Sequence, residues 1–164
     1  VGLLLLVYAL SSWTGALQGH SDPLRPLNGP VAATTTSGVT EQSAWQTIRT
    51  PGELTQALAS AKAAGQPLLL DWYADWCISC KVIEREVLTA PAVTAQLNNY
   101  RLIRFDMTES NAEQRALLDH YQLFGPPALM LFAGNGDEHQ ALRVIGEINA
   151  EDFAERLRQA NARN

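Results

Sequence analysis

The sequence predicts an α/β domain, a mixed central sheet flanked by helices, preceded by a membrane-helix remnant and a linker. Three observations carry this expectation. From about Ala44 onward, short apolar runs alternate with capped helical segments, the pattern of strands joined by helices. Near the end, Gly134-Asn135-Gly136-Asp137 marks a hairpin turn, so antiparallel pairing joins the parallel crossovers and the sheet is mixed. Before the domain lies a charge-free apolar run, then a stretch rich in Pro, Gly, Thr and Ser.

The chain opens at Val1 and continues Gly2-Leu3-Leu4-Leu5-Leu6-Val7-Tyr8-Ala9-Leu10, with no charge before His20 or Asp22. This run, with Trp13 near its close, is expected to be the end of a transmembrane helix over 1–19, in a chain cut from a longer protein. A secretory signal peptide is the competing reading, but the basic start and small-residue cleavage site are not clear here. Residues 20–43 include Pro23, Pro26, Pro30 and Thr34-Thr35-Thr36-Ser37-Gly38. Such composition buries too little apolar surface to order itself, so it reads as a flexible linker. The domain proper is expected over 44–164.

Ala44 to Ile48 alternates like a short strand. Thr50-Pro51-Gly52-Glu53 then opens a helix, with Thr50 as cap and Pro51 in the first position. It runs to about Ala64, Gly65 stops it, and Pro67 leads into a buried strand from Leu68 to Tyr73. A helix is expected from Cys77 to Leu88, and a second short one from Pro91 to Asn98. Arg101 to Met107 reads as a strand, and Ser110 as the cap of a helix to about Tyr121. After Gly125-Pro126-Pro127 come the strand Ala128 to Phe132, the hairpin turn, a strand from Leu142 to Ile148, and a last helix capped by Asn149.

Lys and Arg number 12 against 17 Asp and Glu in 164 residues, a formal charge of −5 with no basic cluster. That balance argues against nucleic acid as a partner. The chemistry concentrates instead in Leu68 to Lys81, which holds the only two cysteines, Cys77 and Cys80. They fall where an apolar strand passes into a segment rich in helix formers. A helix start presents unpaired N–H groups and the positive end of the dipole, which favours a thiolate at Cys77. Cys80 lies one turn on, more buried, at a spacing that lets the two sulfurs close a small disulfide. A Cys77 thiolate can then attack a partner's disulfide, and Cys80 can release the partner. Buried packing cysteines and a structural disulfide are competing readings. Half of a zinc site is a third, but it needs two more ligands, and His20, His120 and His139 stand apart.

Asp71 ends an otherwise apolar strand, where a buried acid is costly unless it is used. Its candidate role is proton acceptor for Cys80, directly or through water; the plainer reading is a carboxylate reaching solvent. Glu84, four residues past Cys80, shares its helix face and would bring a second carboxylate to the pair. Together the two acids would oppose the helix start in ionising Cys77. Trp76, beside Cys77, is a candidate for the docking surface, while Asp75, Lys81, Arg85 and Glu86 read as solvated charges.

The stretch Asp71-Trp72-Tyr73-Ala74-Asp75-Trp76-Cys77-Ile78-Ser79-Cys80-Lys81 resembles the thioredoxin active-site signature. Within that superfamily the sequence is most similar to the C-terminal periplasmic domain of DsbD-type thiol:disulfide interchange proteins. The similarity rests on Tyr73 to Cys77, on Glu84 and on Phe124-Gly125-Pro126-Pro127, and extends over about Trp45 to Arg158. It implies a thioredoxin-like fold with an added N-terminal strand, and a protein-disulfide reductase working in the periplasm while tethered to the bacterial inner membrane. It also implies two partners in the same parent protein. A membrane-embedded redox domain would supply electrons and an N-terminal periplasmic domain would accept them, with other periplasmic disulfide proteins reached indirectly. The carrier would be the redox-active Cys77–Cys80 disulfide, with no organic cofactor and no metal. The alternatives are a stand-alone, membrane-anchored thioredoxin-like reductase for cytochrome c maturation and a non-catalytic module with a structural disulfide. For Pro126 and Pro127 the residues alone suggest a rigid loop. The resemblance implies instead that Pro127 is cis and beside the cysteines, holding the preceding backbone open to a partner's extended chain. Pro126 has no N–H, which removes one donor from that contact.

Overall fold

A computed structural model describes residues 45–164. The expected membrane segment, 1–19, and linker, 20–43, lie outside the described residues. Among those described, no helix is long and apolar enough to cross a membrane.

Strand β1 (Trp45–Ile48) leads through Thr50 into helix α1 (Pro51–Ala63). Thr50 Oγ1 accepts from the Glu53 amide while Glu53 accepts from the Thr50 amide, so each end of the cap satisfies the other. Gly65, at φ 62°, takes the left-handed conformation after the helix, and β2 (Leu68–Tyr73) follows. All of β2 except Tyr73 is buried, as its solid apolar sequence requires of a central strand.

Helix α2 (Ile78–Val82) begins at Cys77 and passes into a π-helical turn, Ile83–Val87. One regular helix to Leu88 was expected. The wider turn instead lets Ile83, Val87 and Leu88 all reach the core, with the Leu88 amide donating to the Ile83 carbonyl. Helix α3 (Pro91–Thr94) is one turn and stops short of Asn98, because the chain tightens at Gln96 and Leu97 to enter β3 (Arg101–Asp106).

Helix α4 (Ala112–His120) is capped by Asn111 and not by Ser110. Ser110 sits at φ 48°, a turn conformation in which its hydroxyl donates to the Met107 carbonyl. Asn111 is extended and exchanges a reciprocal cap with Gln114. Strand β4 (Ala128–Phe132) is fully buried. The Gly134–Asp137 turn forms, but Gln140–Leu142 is a 3₁₀ turn and β5 is only Val144–Ile145. Gly146, at φ 87°, ends that ladder and its amide donates to the Pro127 carbonyl. Helix α5 (Ala150–Asn161) closes the domain under an Asn149 cap.

The sheet order is β1-β3-β2-β4-β5. β1, β3 and β2 run parallel, and β4 and β5 are antiparallel to their neighbours. On one face Leu68, Leu70, Trp72, Ile103, Phe105 and Met130 pack with α1, α4 and the two cysteines. On the other, Leu69, Leu129 and Leu131 pack with the π turn and with Phe153 and Leu157 of α5. Strand alternation puts Asp71 and Arg104 on this second face.

Candidate active site

Cys77 is the N-cap of α2, in extended conformation, and its sulfur accepts from the Cys80 amide at 3.1 Å. The two sulfurs form a disulfide, with Cα atoms 5.3 Å apart. Cys77 is 7% exposed and Cys80 3%, so both are buried and the first is slightly the more exposed. The Cys80 sulfur lies 3.9 Å from the Trp72 carbonyl oxygen.

β4 pairs Ala128 with Trp72, which brings the Pro126-Pro127 bond to the same end of the sheet as the disulfide. That bond is cis. The large apolar side chains exposed among the described residues are Trp76, Ile78, Phe124 and Ile145. Trp76 and Ile78 flank Cys77, Phe124 precedes Gly125 and the prolines, and Ile145 pairs with Ala128. Trp76 is held by its indole N–H, which donates to the Thr108 carbonyl, while the Asp75 amide donates to Thr108 Oγ1. Ser79 Oγ donates to Glu147 Oε1 at 2.6 Å, tying the dipeptide between the cysteines to the loop before α5.

Asp71 is buried, not solvent-facing. Burial pushes its carboxyl up to about 6 and nearby Glu84 adds to the rise, while Arg104 opposes both. Arg104 stands opposite Asp71 in the β2–β3 pairing and donates to it from Nε at 2.9 Å. Its Nη1 donates to Glu84 Oε1 at 2.7 Å. Glu84 therefore reaches a guanidinium, and the two carboxylates, expected as a bare pair, are bridged by a cation. Sequence reasoning missed Arg104. Its only local signal was a charge at an alternating position of the run Arg101-Leu102-Ile103-Arg104-Phe105. Among the described residues no group of His, Cys, Asp and Glu has the arrangement of a metal site.

A βα junction that holds a disulfide at a helix start, at the same end of the sheet as a cis proline and after a strand that carries a buried acid, defines a thioredoxin-like dithiol domain. Residues 45–134 match the thioredoxin-like family. The thiol:disulfide interchange protein DsbD 1 of Pseudomonas aeruginosa is 58% identical over 163 residues, covering 99% of this chain and 28% of that protein. DsbD of Escherichia coli is 41% identical over 111 residues, covering 68% of this chain and 19% of that protein. The chain thus spans about a quarter of the length of the curated relatives it matches. The oxidised DsbD C-terminal domain of Neisseria meningitidis superposes with a TM-score of 0.60 at 30% identity, covering 70% of this chain and 99% of that one. The chain belongs to the thioredoxin-like family, in its branch of DsbD C-terminal domains.

Proposed function

We propose that this domain is a thiol:disulfide oxidoreductase that delivers electrons to protein disulfides through Cys77 and Cys80. The observation that carries this reading is the Cys77–Cys80 disulfide at a helix start, ringed by Trp76, Ile78, Phe124 and Ile145. A buried structural disulfide has no need of an exposed apolar rim, whereas a site that docks an extended polypeptide does. In the reduced domain the Cys77 thiolate attacks the partner's disulfide, and one partner sulfur leaves with the electron pair. Cys80 then attacks Cys77, the internal disulfide forms and the second partner sulfur is released. The domain loses two electrons and the partner gains them.

In this reading Asp71 accepts the Cys80 proton and Glu84 supports it from the surface. Trp76, Pro126 and Pro127 line the docking surface, and Pro126 offers the partner a carbonyl but no N–H. The likeness to DsbD C-terminal domains supports a periplasmic place, tethered to the inner membrane through the segment before residue 44. Electrons would come from a membrane-embedded domain of the parent protein and pass to its N-terminal domain, with the disulfide as carrier.

The test is trapping. Cys80→Ser should accumulate as a mixed disulfide with the parent's N-terminal domain, seen as a larger band on non-reducing gels, and Cys77→Ser should accumulate little. Equal trapping by both variants would contradict the division of labour. A Cys77–Cys80 bond that fails to equilibrate with thioredoxin-strength reductants would make the disulfide structural.

A further inference from the structure

Between the two cysteines, half-buried Ser79 donates to Glu147 Oε1 at 2.6 Å, a contact that the dithiol chemistry does not require. The turn at Gly146 brings Glu147 there: the Gly146 amide donates to the Pro127 carbonyl, so the next residue leaves the sheet beside the cis proline and meets α2. Glu147 is exposed and makes no salt bridge among the described residues, and its second oxygen, Oε2, accepts no hydrogen bond among them. An unattached surface glutamate spreads over several rotamers, whereas one held by a hydroxyl is already ordered when a partner arrives.

Glu147 also lines a groove of about 750 Å³ between α2 and α5. Val82, Ile145 and Ile148 give it apolar wall, and Glu147, Asp152 and Glu155 give it carboxylates. Glu155 is taken up by Arg158, and Arg156, the cation in the lining, is committed to the carbonyls of Leu142 and Arg143. Glu147 and Asp152 are thus left without a cation among the described residues. Lys81 follows Ser79 by two residues and so faces away from it around the helix. Asp75 belongs to the other flank of β2, where its amide bonds Thr108 and its carboxylate accepts from the Tyr73 hydroxyl. Apolar wall leading to an unpaired carboxylate fits a side chain with an aliphatic stem and a cationic head, arginine or lysine.

We propose that Glu147 is a specificity-determining residue: held by Ser79 beside the dithiol, its carboxylate selects protein disulfides that carry an arginine or lysine next to the reacting sulfur. The inference rests on the dithiol reading. As Cys77 attacks, the partner's chain lies over the apolar rim, and its basic side chain runs along Ile145 and Ile148 to Glu147. The electron pair still moves only between sulfurs. The ion pair speeds encounter and fixes the partner's register, while a partner with an acid in that place meets a like charge.

The experiment uses the reduced domain and two peptides, each closed by an internal disulfide and identical except for Arg or Glu beside one cysteine. Quenched samples separated by chromatography give the rate of reduction of each. The ratio of the two rates, Arg over Glu, cancels any change in the dithiol itself, and comparing that ratio between variants cancels the peptides' own reactivity. Glu147→Gln should lower the ratio about fivefold at low salt, the effect of losing one attraction and one repulsion near a surface. Glu147→Lys should lower it further. At about 1 M salt, where charges are screened within about 3 Å, most of the difference between wild type and Glu147→Gln should vanish. Ser79→Ala, with the carboxylate present but unheld, should fall between the two. A role confined to bracing the loop would shift both rates together and leave the ratio alone. A ratio that survives Glu147→Gln, or that Ser79→Ala leaves unchanged, overturns the proposal. Failure of the wild type to reduce either peptide would overturn the dithiol reading itself, and this inference with it.

Discussion

Asp71 inverts the usual relation between a carboxylate and stability. Its carboxyl is held near 6 in the folded domain against an ordinary 3.8, chiefly by burial. The folded state therefore binds this proton more tightly than the unfolded chain does. The stability linked to it is fully present below 3.8 and is lost as pH rises through about 6. At about 1.4 kcal/mol per pH unit, the gap corresponds to about 3 kcal/mol. Asp71→Asn removes this slope. Urea unfolding should show the variant gaining on the wild type by up to about 3 kcal/mol between about pH 4 and about pH 7. Parallel stability curves would show that Asp71 does not titrate in this range. The acid was legible in the sequence because a lone charge in an apolar strand stands out. Its partner was not, since Arg104 meets Asp71 only through the pairing of two strands far apart in the chain. Nor was the Ser79–Glu147 contact, which joins residues brought together only by the folded loops.

The elements were legible where local chemistry decides them. β2 and β4 keep their expected bounds because solid apolar runs must be buried, and the Thr50 and Asn149 caps follow from side chains that satisfy nearby amides. β5 is two residues long because Gly146 turns away to bond Pro127, and the π turn exists because three apolar residues share one face of the core. Neither cause is local. A similar non-local constraint acts at Gly134, in the turn after β4. A Cβ there would lie 2.5 Å from the Gly65 carbonyl oxygen, so the loop after α1 and the turn after β4 touch backbone to backbone. Gly134→Ala must separate them and should lower stability by about 1–3 kcal/mol, the cost of overpacking a closed contact. Chemical denaturation measures it, and a loss below about 0.5 kcal/mol would show that the loops give way freely.

At the scale of the whole domain, the exposed apolar residues gather at one end of the sheet around the disulfide. Ile78 and Phe124 are almost wholly solvent-exposed, so replacing them changes little in the folded state. Ile78→Ser with Phe124→Ser should leave the unfolding midpoint within the range of ordinary surface changes. It should slow reduction of a folded protein disulfide roughly tenfold or more, because burying each side chain against a partner contributes about 1.5–3 kcal/mol. Reduction of a small disulfide such as oxidised glutathione should change far less. Equal losses with both substrates would place the defect in the dithiol and not in docking. The facing of Asp71 and Arg104 across β2 and β3 also bears on how the sheet assembles. In a sheet apolar on both faces the hydrophobic pattern alone specifies register weakly, although a slip by one residue turns each side chain to the other face. Here a slip by one residue would set Ile103 or Phe105 against the acid and strand a bare charge in the interior, at several kcal/mol. The ion pair between the central strands thus works as a proofreader of alignment, favouring one register before any electron has been carried.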